Sequence, residues 1–424
     1  MKKIISVVLV VLMLCSVCLM TTGCKKTNDG SSKEGQLSIW VGEDLEDLFT
    51  RMAEDYTAET GVPVYVFTYT GLTASDKLAL DGPFGKGGDI YVQGGGGDLA
   101  KAVEQGLFLE LSKEDTQLES KYIEGAQQLM QYQGKLYGIP LGIETTALFY
   151  NKALLPEFPE TWEDLVAFAK EYNHFGEGIK SKNEKFGLLI DYTNPYYTWA
   201  FNEAFGGYIF GQDANGAYDP TDLGIANDGS IAACGFIKEL LDSQTIPKDM
   251  AITLMQSKFS SGKAAVILDG SWDLGNFRRA GIDVGVVPIP AIPLGNGEYG
   301  NPVTFCGGYG LSISSFSLNQ EESKKFLEFA TRDEYIIEYY EITGRIPSTV
   351  SSSEHEKILA DDCLKGFYAQ LEHSYPQPAI NELNAVWDPL TASTTAIYVN
   401  GEDISATMKK VAEDIRANIE LLNQ

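Results

Sequence analysis

Little in this chain suits metal or thiol chemistry. Its three histidines, His174, His355 and His373, stand far apart and lack the spacing of metal ligands, so no metal site is expected. Of six cysteines, Cys15, Cys18 and Cys24 fall near the N-terminus. Cys234, Cys306 and Cys363 remain, odd in number and widely spaced, which argues against a disulfide framework and makes each a small buried hydrophobe. Positive charge is scarce: 32 Lys and Arg against 59 Asp and Glu give a net charge of −27. Such a chain suits neither a phosphate backbone nor an anionic lipid surface, so nucleic acid is not an expected partner and a neutral or cationic ligand fits better. After residue 20 no stretch is apolar for the ~20 residues that a membrane-spanning helix needs.

The one long apolar run, Ile4 to Met20, follows Lys2 and Lys3 and leads to "TTGC" ending at Cys24. A basic start, a short apolar run and small residues before a cut form a secretory signal, here residues 1–23. The cysteine at the cut resembles a bacterial lipobox, although Thr21 stands where Leu, Val or Ile is usual. That resemblance implies lipidation at Cys24 and an anchor on the extracellular face of the cell membrane; the alternative is plain secretion. Residues 25–36, "KKTNDGSSKEGQ", carry no apolar side chain and read, with Cys24, as a lipidated flexible tether.

The length of 424 residues allows two domains. Strand-like "QLSIWV" (36–41), helix-periodic "LEDLFTRMAEDYTAETG" (45–61), then strands at 62–69 and 87–92 and a helix beginning at 98 predict a parallel-type α/β domain. The pattern restarts with a helix over 161–173 capped by Thr161, a helix over 230–244, a strand over 262–270, a strand over 309–314 and a long C-terminal amphipathic helix. "VQGGGGD" (92–98) lacks the Lys-Ser/Thr of a P-loop and does not match G-x-G-x-x-G. It reads as a strand-to-helix loop whose backbone approaches a ligand. "YTNPYYTWA" (192–200) crowds Tyr192, Tyr196, Tyr197 and Trp199 together; Trp199 and Tyr197 have the helical spacing of core residues, and Tyr192 stays open between core and surface.

The ordered set "LSIWVGED", "GDIYV", "GLFLELS", "GKLYGIPLGIETTALFYNKALLPEFPETWEDL", "NPYYTWAFNEAFGGYIF", "GKAAVILDGSWDLGNF", "VGVVPIP" and "NAVWDPL" resembles maltose/maltodextrin-binding proteins, the solute-binding components of ABC sugar importers. It covers about residues 37 to 395, and "DLGIANDGSI" with "VWDP" is most similar to the lipid-anchored members of Gram-positive bacteria. The resemblance implies a two-lobed periplasmic-binding-protein-like α/β fold of type II, with lobes discontinuous in sequence. Residues 36–143 plus 290–342 would form the N-terminal lobe and 147–287 plus 346–424 the C-terminal lobe. The hinge would lie near 142–145, 286–290 and 344–347. It also implies a monomer that needs no cofactor, binds maltose, maltotriose or longer maltodextrin and serves ABC permease subunits in the membrane.

The same resemblance implies the site. Glu144 falls at a hydroxyl-binding carboxylate, Tyr196 at a stacking tyrosine, and Trp272 and Trp387 at two stacking tryptophans. Glu43 and Asp44 cover the acidic position after the first strand, and Asn194 stands where a Glu is usual. Elementary chemistry agrees: a pyranose offers C–H faces to aromatic rings and a rim of hydroxyls to carboxylates and amides. Two departures bear on chain length and linkage: Asp98 stands in place of an arginine, and Thr391 in place of another. Other readings stay open. They are a galacto- or xylo-oligosaccharide as ligand, a glycoside hydrolase pairing Glu43 or Asp44 with Glu144, and a starch adhesin.

Overall fold

The computed structural model describes residues 29–71, 73–114, 116–175, 183–213, 217–248 and 250–422. The expected signal and Cys24 lie outside the described residues.

The first half is built as its periodicity predicts. Strand β1 (Leu37–Gly42) pairs in parallel with β2 (Val64–Tyr69) and β3 (Ile90–Gly94). Helix α1 (Glu46–Thr60) opens with Glu46 and Asp47, which favour the positive end of its dipole, and stops at Gly61 in the left-handed conformation. Its buried Leu48, Phe49, Met52 and Tyr56 recur at helical spacing in one continuous core with β1. After β3, helix α2 (Gly97–Glu104) begins directly from the glycine run.

Strand β4 (Ile139–Asn151) joins the two halves. Thirteen residues long and almost wholly buried, it runs through both of them. Its first part pairs with the antiparallel strand Thr304–Ile313, which also pairs β3. Its last part pairs with Ala264–Gly270 and Val284–Val287. A short strand, Ile346–Pro347, lies against Gly142 and Ile143. The second half carries helix α3 (Trp162–Tyr172), strand β5 (Phe186–Leu189), helix α4 (Pro195–Ala204), the antiparallel pair β6 (Phe210–Gln212) and β7 (Tyr218–Leu223), helix α5 (Asp228–Asp242) and strand β8 (Ala264–Gly270). Thr161 caps α3 by accepting from the Asp164 amide (3.1 Å), as its position predicts. Beyond β8 lie β9 (Val284–Val287), β10 (Thr304–Ile313), helix α6 (Gln320–Ala330), helix α7 (Asp333–Thr343), β11 (Ile346–Pro347), β12 (Ser374–Pro376), helix α8 (Trp387–Thr394) and the long helix α9 (Ile404–Leu422). Among the described residues no helix is long and apolar enough to cross a membrane.

The flexible-tether reading needs correction over residues 29–36. Ser32 and Asn319 donate to Asp89, which is fully buried and also accepts from the Ser38 amide and hydroxyl and from Ser317. The Ser32 amide bonds the Gly87 carbonyl at 2.7 Å, and Trp40 donates to the Gly30 carbonyl. A polar segment without apolar side chains is pinned here because one buried carboxylate needs donors, a demand composition does not reveal.

Candidate functional site

Tyr196 sits in the first turn of α4. Asn194 caps that helix, its side-chain oxygen accepting from the Tyr196 amide at 3.0 Å, and Pro195 fills the first helical position. The cap holds Tyr196 beside three rings from other elements as well as its neighbour Tyr197. The Tyr196 centroid lies 6.2 Å from Trp272, 6.5 Å from Trp387 and 5.8 Å from Phe305. Burial pushes its phenol well above the ordinary tyrosine range. The helical spacing separates neighbours as the sequence implies. Trp199 is 4% exposed and stacks on Phe305 at 5.6 Å and 12°, Tyr197 is buried, and the undecided Tyr192 is buried too.

Trp272 follows β8 in the turn Ser271–Asp273. Its indole folds back over Gly270, where an added Cβ would stand 2.1 Å from the ring, so any side chain there would displace the indole. Beneath it lies an acidic pair. Asp269, fully buried, accepts from the Gly270 amide (2.7 Å) and Gln256 Nε2 (3.1 Å). Asp273 accepts from Gln256 Nε2 (2.9 Å) and Asn276 Nδ2 (2.8 Å). Burial first, then the charge of Asp273, pushes the Asp269 carboxyl well above the usual range; burial also raises Asp273. Trp387 opens α8 and meets Phe305 edge-on at 5.9 Å.

Glu144 stands on β4 opposite Gly307 and is ion-paired to Arg345, Nε to Oε2 at 2.8 Å. Both side chains are largely shielded, and the guanidinium also lies 4.4 Å over the Tyr309 ring. A cleft of about 1580 Å³ opens here, with Glu144 and Tyr196 on its wall. Gly94, Gly95 and Gly96 line it as well. The Gly95 amide bonds the Gly308 carbonyl at 3.1 Å, and a Cβ at Gly95 would stand 2.3 Å from the Leu129 carbonyl oxygen. The glycine run thus brings backbone to the cleft. Asp98, in the first turn of α2, also lines it, and burial raises its carboxyl.

Of the residues expected from sequence, Tyr196, Trp272 and Trp387 come together as rings, but only Tyr196 and Glu144 line the cleft; the two indoles pack against Tyr196 off that wall. Asn194 is engaged as a helix cap and is not on the cleft wall. Glu43 and Asp44 are exposed in the turn Glu43–Leu45, also off that wall, where Glu43 accepts from the Thr70 hydroxyl at 2.6 Å. Sequence reading missed Arg345, Tyr309, Phe305, Glu203 and Tyr375. Residues 344–347 are expected only as part of the hinge, and the Glu144–Arg345 pair spans 201 residues, so no local pattern announces it. Among the described residues no group of three His, Cys, Asp or Glu could hold a metal ion.

Two α/β halves are joined by a shared strand, with Glu144, Tyr196 and Tyr309 on the wall of one cleft, the form of a solute-binding protein. A family model described as bacterial extracellular solute-binding protein matches residues 51–366. The chain belongs to that family, and its fold is the two-lobed type II architecture. It is 30% identical over 421 residues to the galactooligosaccharide-binding protein of Bacillus subtilis, spanning 96% of each chain. It is 32% identical over 378 residues to a maltooligosaccharide ABC transporter solute-binding lipoprotein of Streptococcus pneumoniae, spanning 88% of this chain and 86% of that one. A crystal structure of a cyclo/maltodextrin-binding protein complexed with maltotetraose aligns with a TM-score of 0.80 at 27% identity, covering 91% of this chain and 98% of the other.

Proposed function

We propose that this protein captures neutral malto-oligosaccharides outside the cell and delivers them to an ABC permease, as a monomer held at the membrane through a lipidated Cys24. The observation that carries the ligand class is the meeting of Tyr196, Trp272 and Trp387 beside the Glu144–Arg345 pair. Rings cover sugar faces, and an ion pair with remaining hydrogen-bonding capacity binds hydroxyls. Glu43, Asp44 and Asn194 are the second rank of this reading, reaching the sugar only when the lobes close. The lobes, residues 36–143 plus 290–342 and 147–287 plus 346–424, hinge where β4 passes from one sheet to the other beside Ile346–Pro347. Closure is driven by the sugar's greater affinity for the closed form, the form a permease would recognise.

Titration calorimetry with maltotriose tests this. The mature protein binds it, and Trp272→Ala or Trp387→Ala weakens binding by about tenfold or more with the fold intact. Unchanged affinity in both variants contradicts the reading. The protein captures sugar without cleaving it: incubation with maltodextrin yields no new reducing ends, whereas turnover would favour a hydrolase. A second reading, a galacto-oligosaccharide ligand, is favoured by the relative that matches 96% of the chain. A thermal-shift screen of both sugar series decides, because the true ligand raises the melting temperature by mass action.

A further inference from the structure

The pinned strap of residues 29–36 lies at the opposite end of β3 from the cleft. That strand starts here at Ile90 and reaches the cleft wall at Gly94. The strap runs between two turns. The Ser32 amide bonds the Gly87 carbonyl at 2.7 Å, and the Leu318 amide donates to the Ser32 hydroxyl at 2.9 Å. The two turns also touch each other, since a Cβ at Gly82 would stand 2.4 Å from the Phe316 ring. Large apolar side chains stand in solvent on both sides of the strap. On one side Leu318 is 61% exposed. On the other, Leu80 near the end of the helix Ala74–Asp81 is 60% exposed. Phe84, in the turn Gly82–Phe84, is 79% exposed, more than any other large apolar side chain among the described residues. The acidic residues nearby are partly neutralised: Asp81 is ion-paired to Lys77 and Asp29 to Lys33, and Lys86 is exposed two residues after Phe84.

We propose that Leu80, Phe84 and Leu318 form a membrane-contact patch, which rests in the headgroup region of the bilayer that carries the lipidated protein. The inference rests on the anchor at Cys24 and adds the orientation that the anchor imposes. Five residue steps separate Cys24 from Asp29, a reach of at most about 18 Å, so an anchored chain keeps this end of the molecule at the membrane surface. Apolar side chains held there gain by leaving water for the acyl boundary. The tether supplies an effective concentration on the order of millimolar, so a weak contact suffices. A second copy of the chain is the poorer occupant. Three side chains fall far short of the roughly 20 residues a side in a stable protein interface, and a net charge of −27 makes copies repel. The same charge opposes anionic lipid, so apolar contact and not attraction between charges holds the patch. The cleft then faces away from the membrane, open to sugar.

Tryptophan quenching by vesicles of brominated phosphatidylcholine tests this on the lipidated full chain. Phe84→Trp and Leu318→Trp report the patch. Tyr299→Trp reports an exposed position elsewhere, where the native hydroxyl meets Glu163 of α3. The wild type supplies the background of native tryptophans, melting curves check that each variant is folded, and vesicle flotation establishes the anchor first. The added fluorescence at 84 and at 318 is expected to fall by about twofold or more on brominated vesicles, in low and high salt alike, and that at 299 to stay unchanged. Flotation without quenching at 84 and 318, or with equal quenching at 299, overturns the patch and leaves the anchor standing. Quenching that is lost in high salt overturns it too, since charge would then hold the surface. A dimer of the unlipidated Cys24→Ser chain that is lost on adding Phe84→Ser overturns it in favour of a second copy. A wild type that does not float overturns the anchor and the patch together.

Discussion

At the scale of single residues, the position of Trp272 depends on the residues that flank it. Gly270 leaves room for the indole, and a methyl there would stand 2.1 Å from it. Gly270→Ala is therefore expected to displace the ring and weaken maltotriose binding by about tenfold, read by calorimetry alongside a melting curve. The acidic pair beneath Trp272 makes a separate, pH-dependent prediction. Folding raises the Asp269 and Asp273 carboxyls, so the protonated form is favoured in the folded state. Their contribution to stability is fully present below the ordinary carboxylate range and is lost as pH rises through the raised values. Asp269→Asn removes one such group. The difference in melting temperature, variant minus wild type, should grow more positive from about pH 4 to pH 7. A difference that stays flat would show that folding does not raise the Asp269 carboxyl. Residue-level legibility was uneven. Helical spacing alone marked Trp199 as core, and the expected tyrosine faces the cleft. Arg345 and Phe305 were invisible because their partners arrive from distant strands.

Elements were easier to read than their ends. The α1 helix and its glycine stop, the α3 helix and the α9 helix stand where apolar periodicity put them, since a long amphipathic pattern has few alternatives. Thr161→Ala tests the capping argument: losing the bond to the Asp164 amide should cost about 1 kcal/mol of stability by denaturant unfolding, and no measurable loss would contradict it. Strand β10 was the instructive shortfall. Its predicted stretch began at 309, but pairing starts at Thr304: Gly307 and Gly308 weaken the strand pattern in sequence, while Gly308 lets the chain approach the Gly142 carbonyl of β4, 2.4 Å from where a Cβ would stand. The segment 29–36 went the other way. Composition promised freedom, and Asp89 removes it.

Across the whole molecule, the account stands on geometry shared between halves. A single strand, β4, belongs to both sheets, and Glu144 lies on it near the point where its partners change. Composition and charge argued against nucleic acid as a partner, and the order of motifs pointed to the family, yet the shape of the cleft was not legible. It depends on which side chains meet across separations of up to 201 residues, and no local pattern encodes that. The same separation is why closing the lobes around a sugar is the central claim. A crystal structure of the mature protein grown with maltotriose tests it most directly. The account predicts a closed molecule with a sugar ring against Tyr196 and the Trp272 and Trp387 indoles turned to the ligand. An empty cleft at saturating sugar, or a sugar bound elsewhere with those three rings packed only against protein, would contradict it.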